Sequence, residues 1–331
     1  MVNEESNKLI VISSLIDIYL GRVQEYLEFA IQLAQDAGAI IKSAIDSRMT
    51  GTGVSHVHVK KDNPSDLVTE TDKAVEEFIK ERLKKTYPHH RFIGEETFAS
   101  GEKTEFTDHP TWIVDPIDGT TNFVHGYPFV AVCIGLTINK IPTVGVVFNP
   151  ILNELYSAAK GYGAYLNRTQ RLPLFQPIPP LTDLSHCLIA TEAGSDRSKA
   201  VIDAKISAIH EMIRKKSDSS KAAEAHSVRT TGSAALNLCF VAKGAIDVYW
   251  EVGCWEWDVA AAMVVVTESG GIVLEGHNDT SDTKPVNIFC RKYLAIRAAP
   301  DSESQIHIAN QMKRLIPDIE APRPPVPGGY E

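Results

Sequence analysis

The chain has 331 residues, 44% hydrophobic and 23% charged, with a net charge of −9. This allows a sizeable buried core and argues against a general nucleic-acid binder, which needs a basic face. An acidic protein can still hold a phosphate ester when metal cations supply the positive charge, so carboxylate clusters carry the weight.

Residues 9–20, LIVISSLIDIYL, have the look of a signal h-region. The stretch is too short to span a bilayer and contains Asp17, and Glu4 and Glu5 stand where a signal would be basic. It reads as an amphipathic N-terminal extension over residues 1–22, with no membrane partner. Residues 24–46 have helical periodicity, with Tyr26, Phe29, Ala30, Leu33, Ala37, Ile40, Ile41 and Ala44 on one face. Alternating Val57 and Val59 suggest a short strand or hairpin arm. Residues 69–85 open a second helix, with Thr71 and Asp72 as capping residues and Val75, Phe78, Ile79 and Leu83 as its stripe. Strands are predicted at 91–94, 112–115, 130–138, 142–149 and 154–158, rich in Val and Ile.

The second half alternates. Strands are predicted at 187–191, 245–250, 272–275 and 294–298, and helices at 198–215, 233–243, 257–269 and 302–315. Gly270 and Gly271 stop the third of these helices. The last residues, PDIEAPRPPVPGGYE, carry too much Pro and Gly for regular structure and read as a mobile tail over 317–331. There is no internal repeat and no strict βαβ alternation, so the expectation is a layered α/β mix. Five scattered cysteines without a C-x-x-C pair indicate neither zinc nor redox chemistry and suit a reducing cytosol, hence a cytoplasmic location.

Chemistry concentrates in WIVDPIDGTTNF. An apolar run ends at Asp115, Pro116 fixes the turn, and Asp118 emerges from it. Two carboxylates on one rigid turn can bridge hard cations, and Mg²⁺ takes oxygen ligands. The amides of Gly119 and Thr120 would face an anion at a helix start. The bland reading stands beside this one, because aspartates in turns also cap helices. An EF-hand fails for want of its twelve-residue loop and closing Glu. Asp258 is either a helix N-terminal charge or an anchored ligand. Glu95 and Glu96 read equally as surface residues, Asp72 as a cap, and Glu251 as the end of a strand. His56 and His58 form an H-x-H without a nearby third ligand and read as a solvated strand face. His89 and His90 read as exposed turn residues, and the glycines at 51–53 and 161–163 as turns. Ser195 lacks the G-x-S-x-G context of a serine hydrolase.

The stretch WIVDPIDGTTNFVHGYPFVAVCIG resembles the first signature of the inositol monophosphatase family, and WDVAAAMVVVTESGG resembles its second. GEET at 94–97, DLVTETD at 66–72 and TEAGSDR at 191–197 are similar to further family blocks, in family order. The likeness runs from about residue 24 to 315. It implies a layered α/β (α+β) fold, an αβαβα sandwich of the inositol monophosphatase and fructose-1,6-bisphosphatase-like kind. One catalytic domain would cover 23–316, with sub-lobes of about 23–180 and 181–316.

The resemblance also implies a phosphomonoesterase acting on a small phosphate ester, inositol monophosphate first, with two or three Mg²⁺ ions and lithium sensitivity. Glu95, Asp115 and the main-chain oxygen of Ile117 would hold one ion, and Asp115, Asp118 and Asp258 another. Gly119 and Thr120 would bind phosphate, and Thr120, bonded to Asp72, would position the attacking water together with Glu95. Ser195, Gly232, Ser233, Ala234 and Glu251, with Asp118, would lie against the substrate, and Lys61 matches a lysine near the metals. Animal inositol enzymes typically carry His where this chain has Trp255. A homodimer is the family's usual state, and the apolar strands after Phe129 would supply an interface.

Overall fold

The computed structural model describes residues 2–51, 57–59, 67–284, 286–326 and 328; for residues 2–19, 57–59, 67 and 68 it describes the backbone alone. Lys61 and His56 lie outside the described residues, as does the side chain of His58.

Helix α1 (Val2–Met49) is continuous, so the helix does not break at the boundary expected near residue 22. A short hairpin of β1 (Val57–Val59) and β2 (Leu67–Thr69) leads into α2 (Glu70–Thr86). The N-cap of α2 is Thr69 rather than Thr71. Asp72 sits at the third helical position and closes a capping box onto the Thr69 amide.

Seven strands follow in one sheet: β3 (Arg91–Gly94), β4 (Thr111–Asp118), β5 (Ala131–Ile138), β6 (Ile141–Asn149), β7 (Glu154–Ala159), β8 (Gly163–Leu166) and β9 (Gln170–Arg171). They lie side by side in chain order, and β3 and β4 are the parallel pair. The second sheet has the order β11-β10-β12-β14-β13, from β10 (Leu188–Thr191), β11 (Ser227–Arg229), β12 (Val248–Val252), β13 (Ile272–Glu275) and β14 (Lys292–Ile296).

Helices fill the layers between and outside. On one face of the seven-stranded sheet, α1 and α2 cover Trp112, Val114, Val132, Ile134 and Val146. Its other face, with Ile113, Cys133 and Val147, meets α6 (Ala234–Lys243) and α7 (Glu256–Glu268), which also cover Tyr249, Tyr293 and Ala295 of the five-stranded sheet. The far side of that sheet, with Trp250, Leu294 and Ile296, is closed by α5 (Lys199–Ile213) and α8 (Ser302–Leu315). The result is the expected αβαβα sandwich. Strands covered on both faces lose polar alternation, and this is why β4 to β6 read as near-continuous apolar runs. It also removes β5 as an interface, because the apolar residues after Phe129 are interior to the sheet.

The middle layer depends on small residues. Gly135 and Gly145 face each other across β5 and β6, and α7 lays Ala260 and Ala261 directly on them. A Cβ on Gly145 would stand 2.0 Å from the Ala261 carbonyl oxygen. That backbone cannot yield without moving α7. Gly145→Ala is expected to cost about 3 kcal/mol, the upper end for overpacking a core, read as a lower urea midpoint at unchanged m-value.

Two expectations are corrected here. His90 is packed rather than exposed: its Nδ1 accepts from Trp112 Nε1 at 3.0 Å, and its ring stacks on Tyr87 at 4.7 Å. Residues 317–326 have no regular structure, yet they dock. Ile319 is buried, Lys292 pairs with Asp318, and Arg323 pairs with the buried Glu256.

Candidate active site

Strand β4 delivers the first two carboxylates. Its pairing with β5 shifts register between Asp115 and Asp118, a bulge that re-aims side chains at a strand end. Asp115 Oδ1 accepts from the Ile117 amide at 2.9 Å and so holds the turn. Gly119 follows at φ 89°, and a Cβ there would lie 2.8 Å from the Phe129 carbonyl oxygen. This residue has to be glycine for the chain to pass from β4 into α4 (Thr120–His125).

The third carboxylate comes from the other half of the chain. Asp258 sits in the first turn of α7, where its Oδ2 accepts from the Trp255 amide at 2.7 Å. Asp118 is held from that half too: its Oδ2 accepts from Ser233 Oγ and from the Ala235 amide at 2.9 Å. One oxygen each from Asp115, Asp118 and Asp258 lies within 4.8 Å of the others. Glu95, the first residue of α3 (Glu95–Ala99), lines the same cavity, whose volume is about 600 Å³.

The electrostatics follow from this crowding. Burial, reinforced by the charges of Glu95, Asp118 and Asp258, pushes Asp115 well above the usual carboxylate range. Burial with Asp118 and Glu95 does the same to Asp258. Asp118 rises to about 7, chiefly through burial and against the hydrogen bonds of Ser233 and Ala235. Asp72 also rises to about 7 by burial, opposed by Thr69 and assisted by Glu95. Buried like charges of this kind call for a cation. An all-oxygen donor set suits a hard divalent ion rather than a thiolate-loving one. The residues therefore fit a magnesium-type site.

The structure gathers the other expected residues as well. Thr120 Oγ1 lies 3.1 Å from both Asp72 Oδ1 and the Ile117 carbonyl oxygen. Gly119, Thr120, Ser195, Gly232, Ser233, Ala234 and Glu251 all line the cavity. Ser233 and Glu251 are nevertheless already engaged. Glu251 is buried, with Oε1 on Lys205 Nζ at 2.5 Å and Oε2 on the Glu192 amide at 2.8 Å. Burial raises its carboxyl to about 7 despite the Lys205 cation.

Three supporting residues escaped sequence reasoning. Glu76 reaches from α2 to the start of α3, accepting from the amides of Glu96 and Thr97 at 2.7 Å each, and so fixes where Glu95 stands. Its signal was an acid on the buried stripe of α2 beside Val75 and Ile79. Glu192 Oε1 gathers the amides of Thr231 and Gly232 and the side chain of Asn237. Lys205 lies fully buried on α5. Neither of the last two shows a pattern that distinguishes it from a solvated charge.

The sequence model of the inositol monophosphatase family matches residues 22–313. The chain belongs to the inositol monophosphatase family. It is 46% identical over 256 residues to inositol monophosphatase 3 of Solanum lycopersicum, covering 77% of this chain and 87% of that one. It is 36% identical over 303 residues to quinic acid degradation cluster protein x of Neurospora crassa, covering 86% and 89%. Among solved structures, the IMPase of Thermotoga maritima superposes with a TM-score of 0.68 at 29% identity, covering 88% of this chain and 96% of that one. Membership of this family makes the chain one of the metal-dependent phosphatases of small phosphate esters. No described helix is long and apolar enough to cross a membrane.

Proposed function

We propose that this inositol monophosphatase family member is a Mg²⁺-dependent hydrolase of myo-inositol monophosphate, acting in the cytoplasm as a homodimer. The observation that carries the chemistry is the triad of the buried Asp115 and Asp118 with the half-buried Asp258 beside Glu95, open to a cavity large enough for a polyol phosphate. Asp115, Asp118, Asp258, Glu95 and the Ile117 carbonyl would hold two or three divalent ions. When bound, these ions supply Lewis-acid stabilisation of phosphoryl charge and make water more acidic.

The chain's own groups orient the rest. Gly119 and Thr120, at the turn into α4, would take phosphate oxygens on their amides. Thr120 Oγ1, with its proton directed at Asp72 or Ile117, presents lone pairs to a water's proton. Asp72, which titrates near 7, is matched to accept that proton at neutral pH. Glu95 would orient the same water from the opposite element. The substrate's ring would rest against Ser195, Gly232, Ala234 and the wall formed by Glu251 and Trp255.

A second substrate reading is favoured by Arg197 at the cavity and by the likeness to a quinic acid cluster protein. Quinic acid is a cyclohexane polyol bearing a carboxylate, and a phosphate ester of such an acid would place its carboxylate near Arg197. Phosphate release with Mg²⁺ separates the readings. The panel is inositol 1-phosphate, a phosphorylated polyol carboxylate, adenosine 3′,5′-bisphosphate, fructose 1,6-bisphosphate and histidinol phosphate. The expected order puts inositol 1-phosphate first in kcat/KM. A higher value for the carboxylate ester selects the second reading, and release from none overturns both.

A further inference from the structure

The docked C-terminal segment meets the wall of the active-site cavity at Arg323. Arg323 forms a two-pronged pair with Glu256, Nη1 to Oε2 at 2.7 Å and Nη2 to Oε1 at 3.2 Å. Glu256 is 1% exposed. It follows Trp255, which lines the cavity and whose indole stacks on Trp257 at 5.2 Å and 10°. The Arg323 guanidinium also lies 5.6 Å from the Trp255 ring and 4.8 Å from Phe289. Arg291 sits 3.8 Å over Trp255 and ties the same two segments together, donating to the Gly253 carbonyl and to the Pro322 carbonyl at 2.6 Å each.

A planar guanidinium that pairs in two-pronged fashion and packs against aromatic rings fixes orientation as well as charge. The flanking prolines, 322, 324 and 325, stiffen the segment before it docks. The tryptophan wall is thus braced from the far side of the cavity by a segment outside the catalytic elements.

Resting on the polyol phosphatase reading above, we propose that Arg323 is a positioning residue that sets substrate specificity, by clamping Glu256 and bracing Trp255 as the wall of the polyol subsite. It touches no reacting group. Its loss therefore alters how well a ring fits rather than how fast a bound ester is cleaved.

The test compares full-length wild type with Arg323→Met and Arg323→Lys. Lysine keeps a charge for Glu256 but loses the planar fork. Each is assayed with Mg²⁺ on inositol 1-phosphate and on the slimmer glycerol 2-phosphate, with tryptophan emission recorded. Arg323→Met is expected to raise KM for inositol 1-phosphate about tenfold, the loss of roughly one two-pronged contact, with kcat within about twofold. KM for glycerol 2-phosphate should stay in place, and tryptophan emission should move to the red. Arg323→Lys should fall between the two and supplies the comparison if the methionine variant does not fold. Equal changes in KM on both esters, or a kcat loss without a KM change, overturn the proposal while leaving the phosphatase reading intact. If the wild type cleaves neither ester, the inositol reading fails. The clamp is then judged on tryptophan emission alone, and unchanged emission in both variants sinks it.

Discussion

Asp115→Asn is expected to lower Mg²⁺-dependent turnover by more than about 100-fold, since even residues that only support metal ligands cost 10- to 100-fold. The same change should stabilise the cation-free protein. The amide keeps the shape and can still accept from the Ile117 amide, while one of three crowded acidic groups disappears. A melting curve with and without Mg²⁺ reads both effects: a higher midpoint without the ion and a smaller shift when it is added. Turnover equal to wild type at low Mg²⁺ would remove Asp115 from the site.

The wild type carries a pH signature of the same crowding. Asp72 and Asp118 titrate near 7 in the fold against an ordinary value of 3.8, and Asp115 and Asp258 are raised as well. Below the ordinary value both folded and unfolded chains are protonated. As pH rises, the unfolded chain releases its protons first, so the site's contribution to stability falls, and for Asp72 and Asp118 it falls until their folded carboxyls also ionise near 7. A divalent ion must displace those protons, so its affinity is expected to climb between about pH 5.5 and about pH 8. A flat profile of Mg²⁺-induced melting shift would contradict the assignment of Asp115, Asp118 and Asp258 as ligands.

Lys205→Met is expected to cost about 3–5 kcal/mol, the range for breaking a buried ion pair by removing one partner. Both side chains of the Lys205–Glu251 pair are 2% exposed, and Lys205 Nζ also donates to the Val252 carbonyl at 2.9 Å. Without the cation, the Glu251 carboxyl should climb above 7 and become neutral at physiological pH. The double variant Lys205→Met with Glu251→Gln should recover part of the loss, because no interior carboxylate then has either to stay charged or to take up a proton. Denaturant midpoints for the two singles and the double close this cycle. Strict additivity would show that the pair is not coupled.

This buried pair marks where sequence reading stops. A lysine on α5 and a glutamate on β12 are 46 positions apart, and each looks like an ordinary charge. The pair exists because the fifth layer of the sandwich closes over the second sheet. Glu76 and Glu192 were hidden for the same reason, since each gathers amides from a segment distant in the chain. The strands β8, β9 and β11 were also unread, being only two to four residues long. Proline in the C-terminal segment was read as disorder. Closely spaced proline disfavours a helix or strand, but it leaves a stiff segment free to dock, and only the position of Glu256 shows that this one does.

What the sequence determined by itself was local and periodic. Residues 24–46 of α1, the helices α2 and α5 to α8, and the strands covered on both faces were visible, because burial writes directly into residue order. The turn carrying Asp115, Pro116, Asp118 and Gly119 was visible too, because its chemistry lies within a few positions. Asp258 was named as the carboxylate that joins that turn only through the family resemblance; how it gets there, and what holds the Trp255 wall, were decided by tertiary structure. Convergence of distant side chains depends on how sheets and helices stack: Gly135 and Gly145 let α7 approach β5 and β6 closely enough for Asp258 to reach Asp115.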